Sequence, residues 1–248
     1  MAVRAALVTG ASSGIGLAIA DMLGQEGYAL TVAARRPEKL DSAAAGLRER
    51  GYDVQHVAGN LGDEDTIKGV VAAHLERFGR LDVLVNNAGV GAGEAVDALT
   101  TKRIDLQIAT NLRSVFLFYR EAAAALRQAG AEHRNALVVN TASISGKQGE
   151  AWLSVYSATK HGVVGFTQAM NKELAAAGIK SCALCPGFVD TPMTDFVKQA
   201  VPAETMIQPS DIAESVRFLL RTTPGCVVPE IQFLQPGGGP LAGEGVPA

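Results

Sequence analysis

Seven short apolar runs recur along the chain, at Ala5–Thr9, Ala29–Ala34, Val54–Ala58, Val83–Asn86, Ala136–Asn140, Ser181–Cys185 and Ile231–Leu234. Most read as continuous Val, Leu and Ala with little alternation, the pattern of strands buried on both faces of a parallel sheet. Between them, residues 14–26, 38–50, 64–78, 103–129, 154–177 and 210–221 carry apolar side chains at helical spacing. Pro37 and Ser210-Asp211 sit at helix starts, and Gly27, Gly51 and Gly178 lie just beyond helix ends. Strand and helix in strict alternation require right-handed crossovers. The expected fold is therefore α/β, a three-layer doubly wound parallel sheet of about seven strands with helices on both faces. The 248 residues suit one such domain, 1–248, with the long irregular stretch 187–209 as a substrate loop or lid and 241–248 as a loose tail.

Lys and Arg number 22 against 25 Asp and Glu, a net charge of −3 that provides no field for nucleic acid. No apolar run approaches the roughly 18 to 20 residues of a membrane span, and the N-terminal stretch lacks a signal-peptide layout, so a cytoplasmic protein with no membrane or nucleic-acid partner is expected. The three cysteines are too few for a disulfide framework. Cys182 and Cys185 have C-x-x-C spacing, but they lie on a predicted strand, where three-residue separation points the two thiols to opposite faces. They read as structural, and no metal is expected.

The first predicted strand runs into Thr9-Gly10-Ala11-Ser12-Ser13-Gly14-Ile15-Gly16 and then a helix. Glycines at such a turn let backbone N–H groups approach a pyrophosphate, whose charge a helix N-terminus favours. The same residues contain Gly10-x-Ser12-x-Gly14, the spacing of a hydrolase nucleophile elbow. An elbow needs several strands before it, an oxyanion loop and a histidine after a late strand. Only one strand precedes Ser12, and none of His56, His74, His133 and His161 occupies that place. The nucleotide reading is the stronger.

Further along come Asn86-Asn87-Ala88-Gly89 after the fourth strand, Asn111 within a helix, Ser143 after the fifth strand, and Tyr156-x3-Lys160 opening a long helix. The four-residue separation puts Tyr156 and Lys160 on one helical face. This set, in this order, resembles the short-chain dehydrogenase/reductase family, with a Rossmann-type fold, from about Arg4 to Gly239. The resemblance implies hydride transfer between a nicotinamide and a carbonyl or alcohol carbon, a reaction that also needs a proton donor or acceptor at the oxygen. It gives that acid/base role to Tyr156. A free phenol, with a pKa of about 10, is a poor match, and a fixed Lys160 ammonium would lower it. Ser143 would hydrogen-bond the substrate oxygen, and Asn111 would position a water linking Lys160 to solvent.

The resemblance also implies a cofactor site made by Gly10, Ser12, Ser13, Gly14, Ile15, Gly16, Asn87, Ala88, Gly89, Tyr156, Lys160 and a Pro186-Gly187-x-Val189-x-Thr191 segment near the nicotinamide amide. In this fold an acidic residue after the second strand holds the ribose of NAD, whereas arginine accommodates the extra phosphate of NADP. Here that strand ends in Arg35-Arg36, which favours NADP and leaves NAD possible. Two departures weaken the pattern: Ser13 stands where many NADP-dependent members carry a base, and Asn60-Leu61 where an aspartate is common near the adenine. The expected partner is a small carbonyl or alcohol substrate, and family members are commonly homodimers or homotetramers. A 3-oxoacyl-carrier-protein reductase shares every catalytic residue, but those enzymes usually follow N-A-G with a threonine-arginine-acid stretch, where this chain has Val90-Gly91-Ala92-Gly93-Glu94. A non-catalytic dinucleotide-binding protein is the remaining alternative, and such proteins typically lose the tyrosine-lysine pair.

Overall fold

A computed structural model describes residues 3–199 and 201–236. The strands are β1 (Ala5–Thr9), β2 (Ala29–Ala34), β3 (Val54–Ala58), β4 (Val83–Asn86), β5 (Ala136–Thr141), β6 (Ile179–Pro186) and β7 (Glu230–Phe233). The helices are α1 (Gly14–Gln25), α2 (Pro37–Glu49), α3 (Glu64–Phe78), α4 (Thr101–Gln107), α5 (Ser114–His133), α6 (Ser154–Leu174) and α7 (Pro209–Arg221). The strands form one parallel sheet in the order β3-β2-β1-β4-β5-β6-β7. The order reverses between β1 and β4, and an open sheet has its binding crevice outside the carboxyl ends of the strands at such a point.

Alternate residues of each central strand feed two separate apolar layers. Val8, Val32, Val85, Val139 and Leu184 meet Ile19 and Leu23 of α1, Leu40 and Leu47 of α2, and Ile212 and Val216 of α7. On the other face Leu7, Leu84, Val138 and Ala183 meet Ile67 and Val70 of α3, Phe118 and Leu126 of α5, and Val163 of α6. Cys182 joins the first layer and Cys185 the second, as their spacing predicts, and both are free thiols. The edge strands β3 and β7 are only partly buried.

The expected single helix over 103–129 is interrupted. Residues Ile108–Arg113 make one wide turn of π-helix between α4 and α5, with Asn111 at its centre. The Ser114 hydroxyl, 2.6 Å from the Thr110 carbonyl, donates to an acceptor within this widened turn. The stretch 187–209 is also more ordered than a bare lid. It holds short 3-10 turns at Pro192–Val197 and Ala203–Thr205, and a bridge between Val189 and Ile207 closes its base. Val197, Val201 and Met206 pack with Phe188 into a small cluster of their own, so the apolar residues expected to face a substrate are divided between that cluster and the exposed Met193 and Phe196. The tail expected at 241–248 lies outside the described residues.

One buried histidine carries a pH signature. His74 of α3 is fully covered; Nε2 lies 2.9 Å from the Arg80 carbonyl and Nδ1 2.8 Å from the Thr31 hydroxyl. With Nε2–H donating, Nδ1 accepts from the Thr31 hydroxyl, so the neutral ring is fully satisfied. Burial lowers its pKa from 6.5 to about 4. Below pH 6.5 the unfolded chain then binds a proton that the folded chain refuses, so the stabilisation present above pH 6.5 is lost as pH falls toward 4. Unfolding free energy measured with urea should drop across that window by up to about 3 kcal/mol, and His74→Gln should remove most of the slope.

Candidate active site

The turn after β1 is pressed against its neighbours so closely that side chains are excluded. Gly10 has a left-handed φ of +67°, and a Cβ there would lie 2.9 Å from the Ala88 Cα. A Cβ on Gly16 would meet the Gly10 carbonyl oxygen at 2.5 Å, and one on Gly14, at φ +55°, would meet the Thr191 methyl at 2.9 Å. The Thr9 hydroxyl binds the turn to the exit of β4. It accepts from the Asn87 and Ala88 N–H groups at 2.9 and 3.0 Å and donates to the Val85 carbonyl at 3.2 Å. The Asn87 amide donates to the Thr9 and Gly10 carbonyls at 3.1 and 3.3 Å.

Ser13 caps α1 in extended conformation without a side-chain hydrogen bond to the first turn, which leaves those N–H groups available to an anion. A cleft of about 780 Å³ opens beside this turn, lined by Ser12, Ser13, Gly14, the flanks of α1 and α2, Asp190 and Pro192. It lies on the α1 and α2 side of the turn and does not include Tyr156. Arg35 and Arg36 stand exposed between β2 and α2, with no side-chain hydrogen bond or ion pair among the described residues. Asn60 is exposed, and its Oδ1 accepts from the Gly62 N–H at 3.2 Å. Leu61 is buried in the layer on the α3, α5 and α6 face, whereas Ile15 is partly buried against the layer on the opposite face. A narrow crowded turn, free N–H groups at a helix start and two uncompensated guanidinium groups fit a phosphorylated dinucleotide such as NADP.

Ser143 follows β5 and starts a tight turn over Ile144–Gly146. Its Oγ accepts from the Ser145 N–H at 3.1 Å and reaches the Pro186 carbonyl at 3.5 Å. Tyr156 and Lys160 lie on the first turns of α6. Lys160 is 3% exposed, and its ammonium donates to the Thr141 carbonyl at 2.7 Å while lying 5.5 Å from the centre of the Tyr156 ring. Burial lowers the Lys160 pKa to about 8. Burial also raises the Tyr156 phenol above its ordinary value, with a hydrogen bond to Ser143 pulling the other way. At the phenol desolvation thus outweighs the depression expected from Lys160.

The Asn111 side chain bridges two segments of the chain. Its Oδ1 accepts from the Val90 N–H at 2.8 Å, its Nδ2 donates to the Val90 carbonyl at 2.9 Å, and the Thr159 hydroxyl lies 3.4 Å away. The amide therefore binds the loop after β4 to the wide turn. Gly89 separates it from Lys160, since a Cβ there would lie 3.4 Å from the Asn111 Oδ1 and 3.7 Å from the Lys160 Nζ. Pro186 ends β6 with its carbonyl facing Ser143, and Gly187, Val189 and Thr191 follow, the last beside Gly14 of the glycine turn. Thr9, Thr141 and Gly146 complete the arrangement and were not legible as site residues. A single threonine or glycine carries no spacing signal; Thr141 and Gly146 act through backbone contacts, and Thr9 through a hydroxyl that joins two strand ends. The histidines are engaged elsewhere: His56 with Asp41, His133 with Asp82 and His161 with the carbonyl of Ser157 on its own helix. Among the described residues no three His, Cys, Asp or Glu side chains could hold a metal, and no helix is long and apolar enough to cross a membrane.

The family profile described as short chain dehydrogenase matches residues 4–202, and the chain belongs to that family of oxidoreductases acting on the CH–OH and carbonyl pair. A Streptomyces coelicolor protein named as a ketoacyl reductase is 41% identical, covering 94% of this chain and 95% of its own. The 3-oxoacyl-[acyl-carrier-protein] reductase of Staphylococcus aureus (strain Mu50) is 36% identical over 87% of this chain and 90% of its own. Among solved structures, a variant of actinorhodin polyketide ketoreductase with NADPH superposes at a TM-score of 0.84 with 38% identity, covering 94% of this chain and 97% of that one.

Proposed function

We propose that this protein reduces the carbonyl of a ketoacyl-type substrate at the expense of NADPH, with Tyr156 as the proton donor. The observation that carries this reading is the convergence of a protonated phenol, the Ser143 hydroxyl and the buried Lys160 ammonium beside the crevice where the strand order reverses. NADPH, when bound, supplies the hydride. Ser143 and Tyr156 both donate hydrogen bonds toward the carbonyl oxygen, and the Tyr156 proton moves to that oxygen as it gains charge. A phenol held protonated by burial is ready to act as an acid, which suits reduction. Lys160 keeps a positive charge near the phenolate left behind and, with a pKa of about 8, can return a proton to it.

The cofactor site is assigned to the Gly10–Gly16 turn, the Asn87–Gly89 exit of β4, the 186–191 segment and the Arg35/Arg36 pair, with Asn60 and Leu61 offered to the adenine. The names of the relatives support a ketoacyl thioester over a simple ketone, in spite of the Val90-Gly91 departure. The loops around the site agree with an apolar acyl group. Met193 lies 3.8 Å from where a Gly91 side chain would begin, Leu153 and Trp152 press on Gly93, and Trp152, Met193, Phe196 and Val96 are exposed.

Tyr156→Phe should lower turnover of an acetoacetyl thioester by about 10²- to 10⁴-fold while leaving the NADPH dissociation constant unchanged. Wild-type turnover in that variant would remove Tyr156 as the acid, whereas cofactor binding without turnover in the unaltered protein would favour a non-catalytic binding protein. Calorimetric titration should show NADPH bound more tightly than NADH, and replacing Arg35 and Arg36 by Ala should weaken NADPH about 10- to 100-fold with NADH unaffected. A second copy of this chain is the proposed partner of the α4 to α6 face, where Leu106, Ile108 and Phe116 are exposed and Phe116 stacks on Phe166 at 4.6 Å between centroids. Sedimentation velocity should give a dimer or tetramer that Phe116→Glu dissociates.

A further inference from the structure

Ser143 is carried on a turn whose far end is fastened outside the site. Gly146 N–H donates to the Ser143 carbonyl and Lys147 N–H to the Ile144 carbonyl, both at 2.8 Å, so residues 143–147 move as one tight piece. One side of that piece abuts α6, for a Cβ on Gly146 would stand 2.8 Å from the Lys160 carbonyl oxygen. The other side is anchored to the sheet edge. The Lys147 ammonium lies 2.7 Å from Oε2 of Glu230 on β7, and the Gln232 amide donates to Oε1 of the same carboxylate at 2.7 Å. The Glu230 side chain is only 15% exposed, unlike the partners of an ordinary surface pair. β7 pairs in turn with β6, Ala183 opposite Glu230 and Pro186 opposite Phe233, and the Pro186 carbonyl is the acceptor facing the Ser143 hydroxyl. The contacts close a ring that runs from Ser143 through the turn, Lys147, Glu230, β7 and β6 and back to Ser143 through Pro186.

We propose that Glu230 is a positioning residue for the reaction, holding Ser143 in register with Tyr156 through Lys147. The proposal rests on the reading above in which Ser143 contacts the substrate oxygen. The pair touches neither Tyr156 nor the glycine turn, so its loss should affect the reacting geometry and leave cofactor binding alone. Partly exposed pairs add little to global stability, and displacements well under an ångström at a reacting group are enough to slow a reaction severalfold.

The test is a kinetic cycle with NADPH and an acetoacetyl thioester. Glu230→Gln and Lys147→Met should each lower kcat by about tenfold, with KM and the NADPH dissociation constant within about twofold of wild type and the melting temperature nearly unchanged. The double variant should be no worse than either single one, and the exchanged pair Lys147→Glu/Glu230→Lys should recover most of the lost rate. In a Ser143→Ala background, Glu230→Gln should lower kcat no further. An undiminished kcat in Glu230→Gln would overturn the proposal, as would an equal loss with and without Ser143, or a loss that follows the melting temperature and is not recovered by the exchange. Wild-type kcat in Ser143→Ala alone would instead overturn the role given to Ser143, and the proposal would fall with it.

Discussion

The Lys160 ammonium is taken almost entirely out of water without a carboxylate to neutralise it. Burying a lone cation is expensive, and what offsets the cost here is one short hydrogen bond to the Thr141 carbonyl, with a pKa brought down toward neutrality. Much of the surrounding structure follows from that arrangement. The end of β5 must turn a carbonyl toward α6. Gly146 must lack a side chain so that the turn carrying Ser143 can lie on the Lys160 backbone. Asn111 in turn requires the wide helical turn that brings its amide to Val90. Tyr156 then shares a low-dielectric site with that cation, and desolvation pushes its phenol further above its ordinary value.

A second seam of polar contacts fixes the sheet under this site. The Asn86 amide donates to Asn140, and the Asn140 amide donates to the Thr167 hydroxyl, both at 2.9 Å and all buried. Nearby the Tyr119 hydroxyl lies 2.5 Å from the Ser181 hydroxyl, and Asn171 exchanges two hydrogen bonds of 2.8 Å with the Ser181 backbone. Purely apolar packing would let α5 and α6 slide along β4, β5 and β6 at little cost. Directional bonds in a dry layer penalise any such shift, because a displaced donor would be left unpaired. The residues that end β5 and open α6 are therefore held in a fixed relation before any ligand arrives.

The sheet and its helices were legible because each element repeats its signal along its length. Both faces of β1, β2 and β4 are apolar, and the helices between them show a regular stripe, so even one-residue errors at the ends leave the topology intact. The site was legible where it depends on side-chain type at fixed spacing, as with Gly10, Gly14, Gly16, Ser143, Tyr156 and Lys160. It was not legible where the contact belongs to the backbone. The Thr141 carbonyl, the Thr9 hydroxyl joining two strand ends, and the wide turn at Asn111 all depend on which chain segments meet, and no local pattern records that. The direction of the Tyr156 shift failed for a related reason. Spacing places Lys160 on the same face as the phenol, but it does not say how far both are buried or which acceptor the ammonium takes.

The loops above the candidate site are the part of the molecule least governed by the sheet. Trp152 adopts a left-handed φ of 65°, rare for a bulky residue, and is held there by the Glu94 N–H donating to its carbonyl at 2.8 Å. That bond joins the loop after β4 to the segment just before Tyr156, while Met193 from the loop after β6 lies over Gly91 of the same stretch. Three loops thus meet through one strained backbone and two glycines, none of which takes part in the sheet ladder. A fold built this way keeps its reacting groups constant while the mouth above them changes. The strands and α6 position Tyr156 and Lys160, whereas the absence of side chains at Gly91 and Gly93 leaves space beside Met193, Leu153 and Trp152. A side chain on Gly93 would crowd Leu153 and the Trp152 carbonyl, one longer than a methyl on Gly91 would meet Met193, and neither glycine has Lys160 among its nearest neighbours.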